Sequence, residues 1–380
     1  MKDNTFSIMN HLTDWMTRPT VGDDKPPSFY PSSAAAIGKD NKLHGSCRRR
    51  QFLDYARSAV RFAKRTKKPY SLWEPILKDV ESKIIKDSKY STWIFAQGNL
   101  YEEHCLDLIK ECGLFQATQS VVYIPEYNVS GKIDNIAFNP ETHENVIVEF
   151  KSVYGENGNK TLGTEWERNN NLSGEPRDYN LMQIAIYQHY FANQREGFGF
   201  GQLVYGDRGD GRYAVYQVDV DKESTEIKYR SIDPNKTPWV TVPYTVQGIM
   251  DNYQYLQECL ENNIMPEKDF MLSYSDEEMI KRIDESYDIF LADKEEKKTS
   301  TMYYDMVHAM EASEGIKGRK FYLDIKKSKN KESVSIAKGV AGDFIKYYDR
   351  KINGGREVKR PVAGDYQCGF CKYKNYCYGK

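Results

Sequence analysis

No stretch of this chain is apolar for long enough to cross a bilayer, and its start, Met1-Lys2-Asp3-Asn4-Thr5, lacks the charged-then-apolar pattern of a signal peptide. The expectation is a cytoplasmic protein with no membrane partner. Net charge is equally scarce. The 54 Lys plus Arg are balanced by 55 Asp plus Glu, leaving a formal −1. That balance argues against nucleic-acid binding through bulk charge and leaves local basic patches open. Internal repeats, heptad arrays and helicase motifs are also missing. The run Gly197-Phe-Gly-Phe-Gly201 precedes a strand instead of joining strand to helix, so it reads as a turn and not as a phosphate-binding loop.

Cysteines are few but unevenly placed. Cys47 stands near the start in Ser46-Cys47-Arg48-Arg49-Arg50, and Cys368, Cys371 and Cys377 fall in the last thirteen residues as C-x2-C-x5-C. Thiolates spaced this closely can converge on one metal centre. Three local ligands leave a fourth to be found, and Cys47 is the candidate. In cytosol such residues are metal ligands or core more often than disulfides, and seven is an odd number for full pairing. Cys105, Cys112 and Cys259 lie in helix-like stretches and read as small buried hydrophobes.

Along the chain, residues 1–45 are rich in Pro, Ser, Asp and Lys and read as an irregular arm. Cys47 opens a helix in which Leu53, Ala56, Val60 and Ala63 form an apolar stripe. Its continuation, Arg57 to Lys68, is strongly basic, and a solvated face explains that as well as a binding surface does. A second helix is expected over Ser91–Cys112. Three strands follow at Gln119–Tyr127, Val129–Asn139 and Asn145–Tyr154, with turns at Ser130-Gly131 and Asn139-Pro140-Glu141-Thr142. Next come a polar mobile loop, Gly155–Arg177, a helix over Asp178–Asn193, and strands near Gly199–Tyr205 and Arg212–Val220. Beyond 222 the pattern is mostly helical, with a short hairpin around Lys320–Ile325 and Glu332–Ala337.

The second and third strands carry acidic chemistry. Gly131-Lys-Ile-Asp134 is followed by Val146-Ile-Val-Glu149-Phe-Lys151, in which Glu149 and Lys151 share one strand face. The Val-Ile-Val run is that of a buried strand, where ionisable groups must be paired or bind metal. Asp134 can lie beside Glu149 across the hairpin, and two carboxylates there would suit Mg²⁺ or Mn²⁺. Taken alone, this pattern is also that of an ordinary surface ion pair. On the second helix, Glu102 falls at the edge of the stripe Cys105, Leu106, Leu108 and Ile109, Glu103 points away, and His104 is intermediate: a ligand, a substrate contact or a half-buried packing residue. Gln183 and Tyr187, one turn apart, are either a satisfied core pair or contacts to a phosphate or to the attacking water.

Taken in order, Gly98-x3-Glu102, Gly131-x2-Asp134, Glu149-x-Lys151 and Gln183-x3-Tyr187 resemble the RecB-like PD-(D/E)xK nucleases. The split cysteines resemble the iron–sulfur (Cas4/AddB/Dna2-nuclease-like) group of that family. The resemblance covers about residues 46–205 and 361–380. It implies an α/β fold, with a mixed central sheet flanked by helices as a restriction-endonuclease-like core, an additional mostly helical C-terminal region, and an iron–sulfur clasp. The expected organisation is an arm (1–45), a nuclease core (46–221), a helical accessory region (222–345) and a basic cysteine segment (346–380) packing back on Cys47. The resemblance further implies metal-dependent hydrolysis of DNA, single-stranded or at ends, in a bacterial or phage-infected cell. Glu102, Asp134 and Glu149 would be metal ligands and Lys151 the catalytic lysine, with Gln183 and Tyr187 completing the site. Cys47, Cys368, Cys371 and Cys377 would hold a [4Fe-4S] cluster. Many relatives have His where this chain has Glu102. Any helicase or recombination partner would be a separate chain. The rival readings are an inactive nuclease-like DNA-binding or assembly subunit and a zinc-clasped structural protein.

Overall fold

The computed structural model describes residues 26–67, 74–85, 89–273 and 364–379. They fall into two compact units, one ending at Asp269 and the other starting at Phe270.

The first unit is an α/β body built on a seven-stranded mixed sheet of order β3-β4-β5-β6-β7-β8-β9. The strands are β3 (Phe115–Ile124), β4 (Val129–Asn139), β5 (Glu144–Val153), β6 (Gly201–Asp207), β7 (Tyr213–Val220), β8 (Glu226–Asp233) and β9 (Val240–Thr245). Only the β5–β6 pair is parallel. A parallel pair needs a crossover, and here it is made by α4 (Glu156–Leu162), α5 (Glu165–Asn169) and α6 (Asp178–Tyr187).

Two helices position the centre of the sheet. On one face, α3 (Lys89–Glu111) lays Tyr101, Cys105 and Ile109 on Val146, Val148 and Phe150. Each of these side chains contributes roughly 1.5–3 kcal/mol when fully buried. The stripe is not quite the one expected. Leu108 is 45% exposed, and Tyr101 takes its place because its hydroxyl lies on Gly206, where any Cβ would collide with it. On the other face α6 is buried from Asn180 to Tyr187, which explains its nearly unbroken apolar composition. It runs on as one π-helical turn, Gln188–Ala192, so the expected helix to Asn193 is present with a changed pitch.

Several expectations need correction. The turn before β4 falls at Pro125–Asn128 and not at Ser130-Gly131: Pro125 has no N–H for the ladder and Asn128 adopts a left-handed φ of 48°. The polar stretch 155–177 holds two short helices instead of a bare loop. The arm contains a small hairpin, β1 (Ala35–Ile37) with β2 (Leu43–Gly45), anchored by the fully buried Ala34, Ala35 and Ala36. Past residue 222 the sheet gains β8 and β9 before the helix α7 (Val246–Glu261), because pairing with the open edge of β7 overrides weak local preference. Cys112 is exposed at the end of α3, Cys105 is half-buried and Cys259 alone of the three is buried. The expected hairpin at 320–337 lies outside the described residues.

Cys47 caps α1 (Arg48–Thr66), whose buried stripe is Phe52, Leu53, Ala56, Ala59, Val60 and Ala63. Part of its basic face is ion-paired with α2 (Glu74–Lys83). Arg57 and Arg61 lie 3.3 and 3.8 Å from Glu81, and Lys64 lies 2.7 Å from Glu74.

Candidate functional site

The two halves of the β4–β5 hairpin part company in mid-sheet. Their ladder runs from Asn139↔Glu144 to Asn135↔Val148. One step further on, β4 stays with β3 (Ser120↔Ile133) while β5 turns to β6 (Glu149↔Leu203). A fork opened in this way leaves backbone N–H groups without ladder partners, which inside a protein must be satisfied by something else. The two carboxylates at the fork do it. The Asp134 amide donates to Glu149 Oε1 at 3.3 Å, and the Phe150 amide donates to Asp134 Oδ2 at 3.3 Å. Local irregularity marks the same place: Gln119, across from Asp134 in β3, has a left-handed φ of 53°, and the Thr118 hydroxyl donates to the Asp134 carbonyl at 2.7 Å.

Lys151 spans the fork. Its Nζ lies 2.8 Å from Glu149 Oε2 and 3.4 Å from Asp134 Oδ2. From α6, the Gln183 amide donates to the same Glu149 oxygen at 2.9 Å. Tyr187 lies one turn on from Gln183, and its hydroxyl sits where a side chain on Gly131 would project, 2.5 Å from the position of a Cβ. The glycine of Gly131-x2-Asp134 is therefore a close-approach glycine. From the opposite face, Glu102 of α3 is half-buried and near enough to Asp134 for the two carboxyls to interact, whereas Glu103 and His104 are exposed. The helix group at the site is thus Glu102, and His104 is neither at the site nor half-buried. The fold brings together Glu102, Asp134, Glu149, Lys151, Gln183 and Tyr187.

Electrostatics follow from burial. Glu149 has no exposed surface, and that burial pushes its pKa up to about 8, opposed by Lys151 and reinforced by Asp134. Glu102 is raised by burial and then by the Asp134 carboxylate, with Lys151 offsetting part of the rise. Burial works against the Lys151 ammonium, but Glu149 and Asp134 outweigh it and hold its pKa above the ordinary value. Tyr187 is raised by burial and by Glu149. The slot is therefore crowded with carboxylates around one cation. As they stand, no three His, Cys, Asp or Glu side chains among the described residues are arranged to hold a metal ion.

The start of α6 is held by a contact with no local sequence signature. His44 of β2 sits between two carboxylates, with Nδ1 3.2 Å from Asp178 Oδ2 and Nε2 3.1 Å from Asp40 Oδ2. Asp178 Oδ1 also accepts from the Tyr244 hydroxyl at 2.9 Å. Nothing in the local sequence pairs residue 44 with 178, since the contact exists only once β2, β9 and α6 have assembled.

In the second unit, Cys368 lies on α8 (Tyr366–Gly369), Cys377 on α9 (Lys374–Tyr378), and Cys371 in the turn between them. The Cys368 thiol is buried and its pKa raised, by burial first, with further rises from Cys371, Asp365 and Cys377 and an opposing contribution from its hydrogen bond to Tyr378. The three sulfurs thus share one neighbourhood. The Tyr378 hydroxyl donates to the Phe270 carbonyl, and the Met271 amide to Asp365 Oδ2 at 2.8 Å, which ties the segment to 270–271. None of the seven cysteines, all among the described residues, forms a disulfide. No family model and no curated protein matches this chain.

Proposed function

We propose that this chain is a metal-dependent DNA nuclease of the PD-(D/E)xK type, RecB-like, with a restriction-endonuclease-like core and a [4Fe-4S] cluster. The observation that carries the reading is the fork: Asp134 and Glu149 on parted strands, bridged by Lys151 Nζ at 3.4 and 2.8 Å. The Asp134 carboxylate raises the pKa of both Glu102 and Glu149, a repulsion between hard-oxygen donors that a divalent cation would relieve, so Glu102, Asp134 and Glu149 would be the groups to close on Mg²⁺ or Mn²⁺. When bound, such a cation supplies Lewis-acid neutralisation of phosphodiester charge.

The remaining work belongs to the chain's own groups. Lys151, kept cationic by its two carboxylates, donates to the attacking water and offsets charge developing on the phosphate. Gln183 fixes Glu149 through its 2.9 Å bond, and the buried Tyr187 packs one turn on. Cys47, Cys368, Cys371 and Cys377 are the proposed cluster ligands, on the C-x2-C-x5-C spacing of the last three. Arg57, Arg61 and Lys64 of α1 are ion-paired with α2, so phosphate contacts at those three would have to displace Glu74 and Glu81. Among the described residues no helix is long and apolar enough to cross a membrane.

The test is manganese-dependent digestion of end-labelled single- and double-stranded DNA, linear and circular. Cleavage that vanishes in Glu149→Ala and Lys151→Ala, with folding retained, is the expected result. No cleavage by the wild type, or unimpaired cleavage by either variant, overturns the reading.

A further inference from the structure

Phe95, on the same helix as Glu102, is 66% exposed. Seven residues are two helical turns, so Phe95 and Glu102 project from nearly the same side of α3, about 10 Å apart along its axis. Between them on that side lie Gly98, which has no side chain, and the exposed Asn99. Phe95 thus stands two turns from Glu102 on one side of the helix, with little side-chain bulk between them.

A second exposed ring stands nearby. Tyr154, three residues past Lys151, is 67% exposed, and its ring lies over Gly209, where a Cβ would come within 3.0 Å of it. Arg208 joins the two rings. Its amide donates to the Val153 carbonyl at 3.1 Å, beside Tyr154, and its guanidinium donates to the Ile94 carbonyl at 3.0 Å, beside Phe95, and to Gln97 Oε1 at 3.3 Å. Both side-chain acceptors are neutral, so they leave the positive charge of Arg208 uncancelled. Ile94, 42% exposed, adds apolar surface. Neither ring packs in the core, so both keep most of their surface open to a ligand. Flat rings beside an uncancelled cation suit unpaired bases on a phosphate backbone, since bases stack on aromatic faces whatever their identity.

We propose that Phe95, Tyr154 and Arg208 form a platform on which single-stranded DNA stacks as it approaches the fork. The proposal rests on the nuclease reading for what the strand approaches, but not for the stacking itself. The experiment uses the full chain and a fluorescein-labelled oligothymidylate in EDTA, with binding followed by anisotropy. Phe95→Ala and Tyr154→Ala are each expected to weaken binding about five- to fifty-fold. Phe95→Trp should keep the affinity, and all three variants should melt as the wild type does because these side chains are exposed. Arg208→Gln should lower the slope of log affinity against log salt by about 0.7. Duplex of the same length should bind more weakly, its bases being already stacked.

Unchanged affinity in both alanine variants, no single-strand binding by the wild type, or equal affinity for duplex overturns the platform. The two readings fail separately. A protein that loses affinity in Phe95→Ala but never cleaves with manganese keeps the platform and sinks the nuclease. One that cleaves DNA, with aromatic variants that bind and cut unchanged, does the reverse.

Discussion

Glu149 has no exposed surface, and its folded-state pKa of about 8 lies above the ordinary 4.5. A carboxyl of this kind holds its proton more tightly when folded than when unfolded. Its contribution to stability is therefore greatest below 4.5 and is lost as pH rises from 4.5 toward 8. Glu149→Gln keeps the shape and removes the titration, so its melting temperature in EDTA should fall less than the wild type's between about pH 5 and pH 8. Manganese should raise the melting temperature of the wild type and leave that of Glu149→Gln nearly unchanged. A wild type whose pH slope equals the variant's would show that Glu149 carries no such penalty. Residues at this scale were legible to different degrees. Glu149 and Lys151 could be placed on one face because strand periodicity is rigid, and Glu102 could be separated from Glu103 by helical angle. His104 could not be placed, because its angle lies on the boundary between the buried and exposed sides of α3.

At the scale of elements, the site depends on how closely α6 approaches β4. A Cβ on Gly131 would lie 2.5 Å from the Tyr187 hydroxyl and 2.9 Å from Pro31. Gly131→Ala should cost about 2 kcal/mol by overpacking and move the helix that carries Gln183. Removing the hydroxyl with Tyr187→Phe should recover part of that loss, so the double variant is more stable than the sum of the singles predicts. Strict additivity in urea melts would refute the contact. The other end of α6 depends on protonation. His44 has a raised pKa, chiefly from its hydrogen bond to Asp178, with burial opposing and Asp40 adding. Its stabilisation is fully present below the unfolded value of 6.5 and is lost as pH rises through the folded value. His44→Gln should cost about 1 kcal/mol or less at pH 6, given partial exposure, and almost nothing at pH 9. An equal cost at both pH values, read from thermal melts, would count against the latch. Elements were legible in the sequence where apolar periodicity was long, as in α1, α3 and β5. They were misread where long-range pairing decides the outcome: β8 and β9 exist because β7 offers an edge, and the arm's hairpin exists because three alanines are small enough to bury.

For the whole molecule, the chain order separates the groups that would do chemistry from those that would hold the protein together. The carboxylates, Lys151, Gln183 and Cys47 belong to the first unit, and Cys368, Cys371 and Cys377 to the second. Three sulfurs within one short segment were legible from C-x2-C-x5-C spacing, since a turn between two short helices leaves them few places to go. Their metal was not, because zinc and iron accept the same ligands. If one cluster joins Cys47 to the tail, it closes a loop of about 320 residues, which removes on the order of 5 kcal/mol of unfolded-chain entropy. Protein purified without oxygen should then be brown, with about four irons per chain. Cys47→Ser and Cys368→Ser should lose iron together and melt earlier, while the surviving folded fraction keeps its cleavage rate per molecule, because the groups assigned to the chemistry include neither cysteine. Colourless protein with one zinc overturns the cluster and leaves the fork chemistry standing. Loss of iron in Cys368→Ser but not in Cys47→Ser assigns the fourth ligand elsewhere.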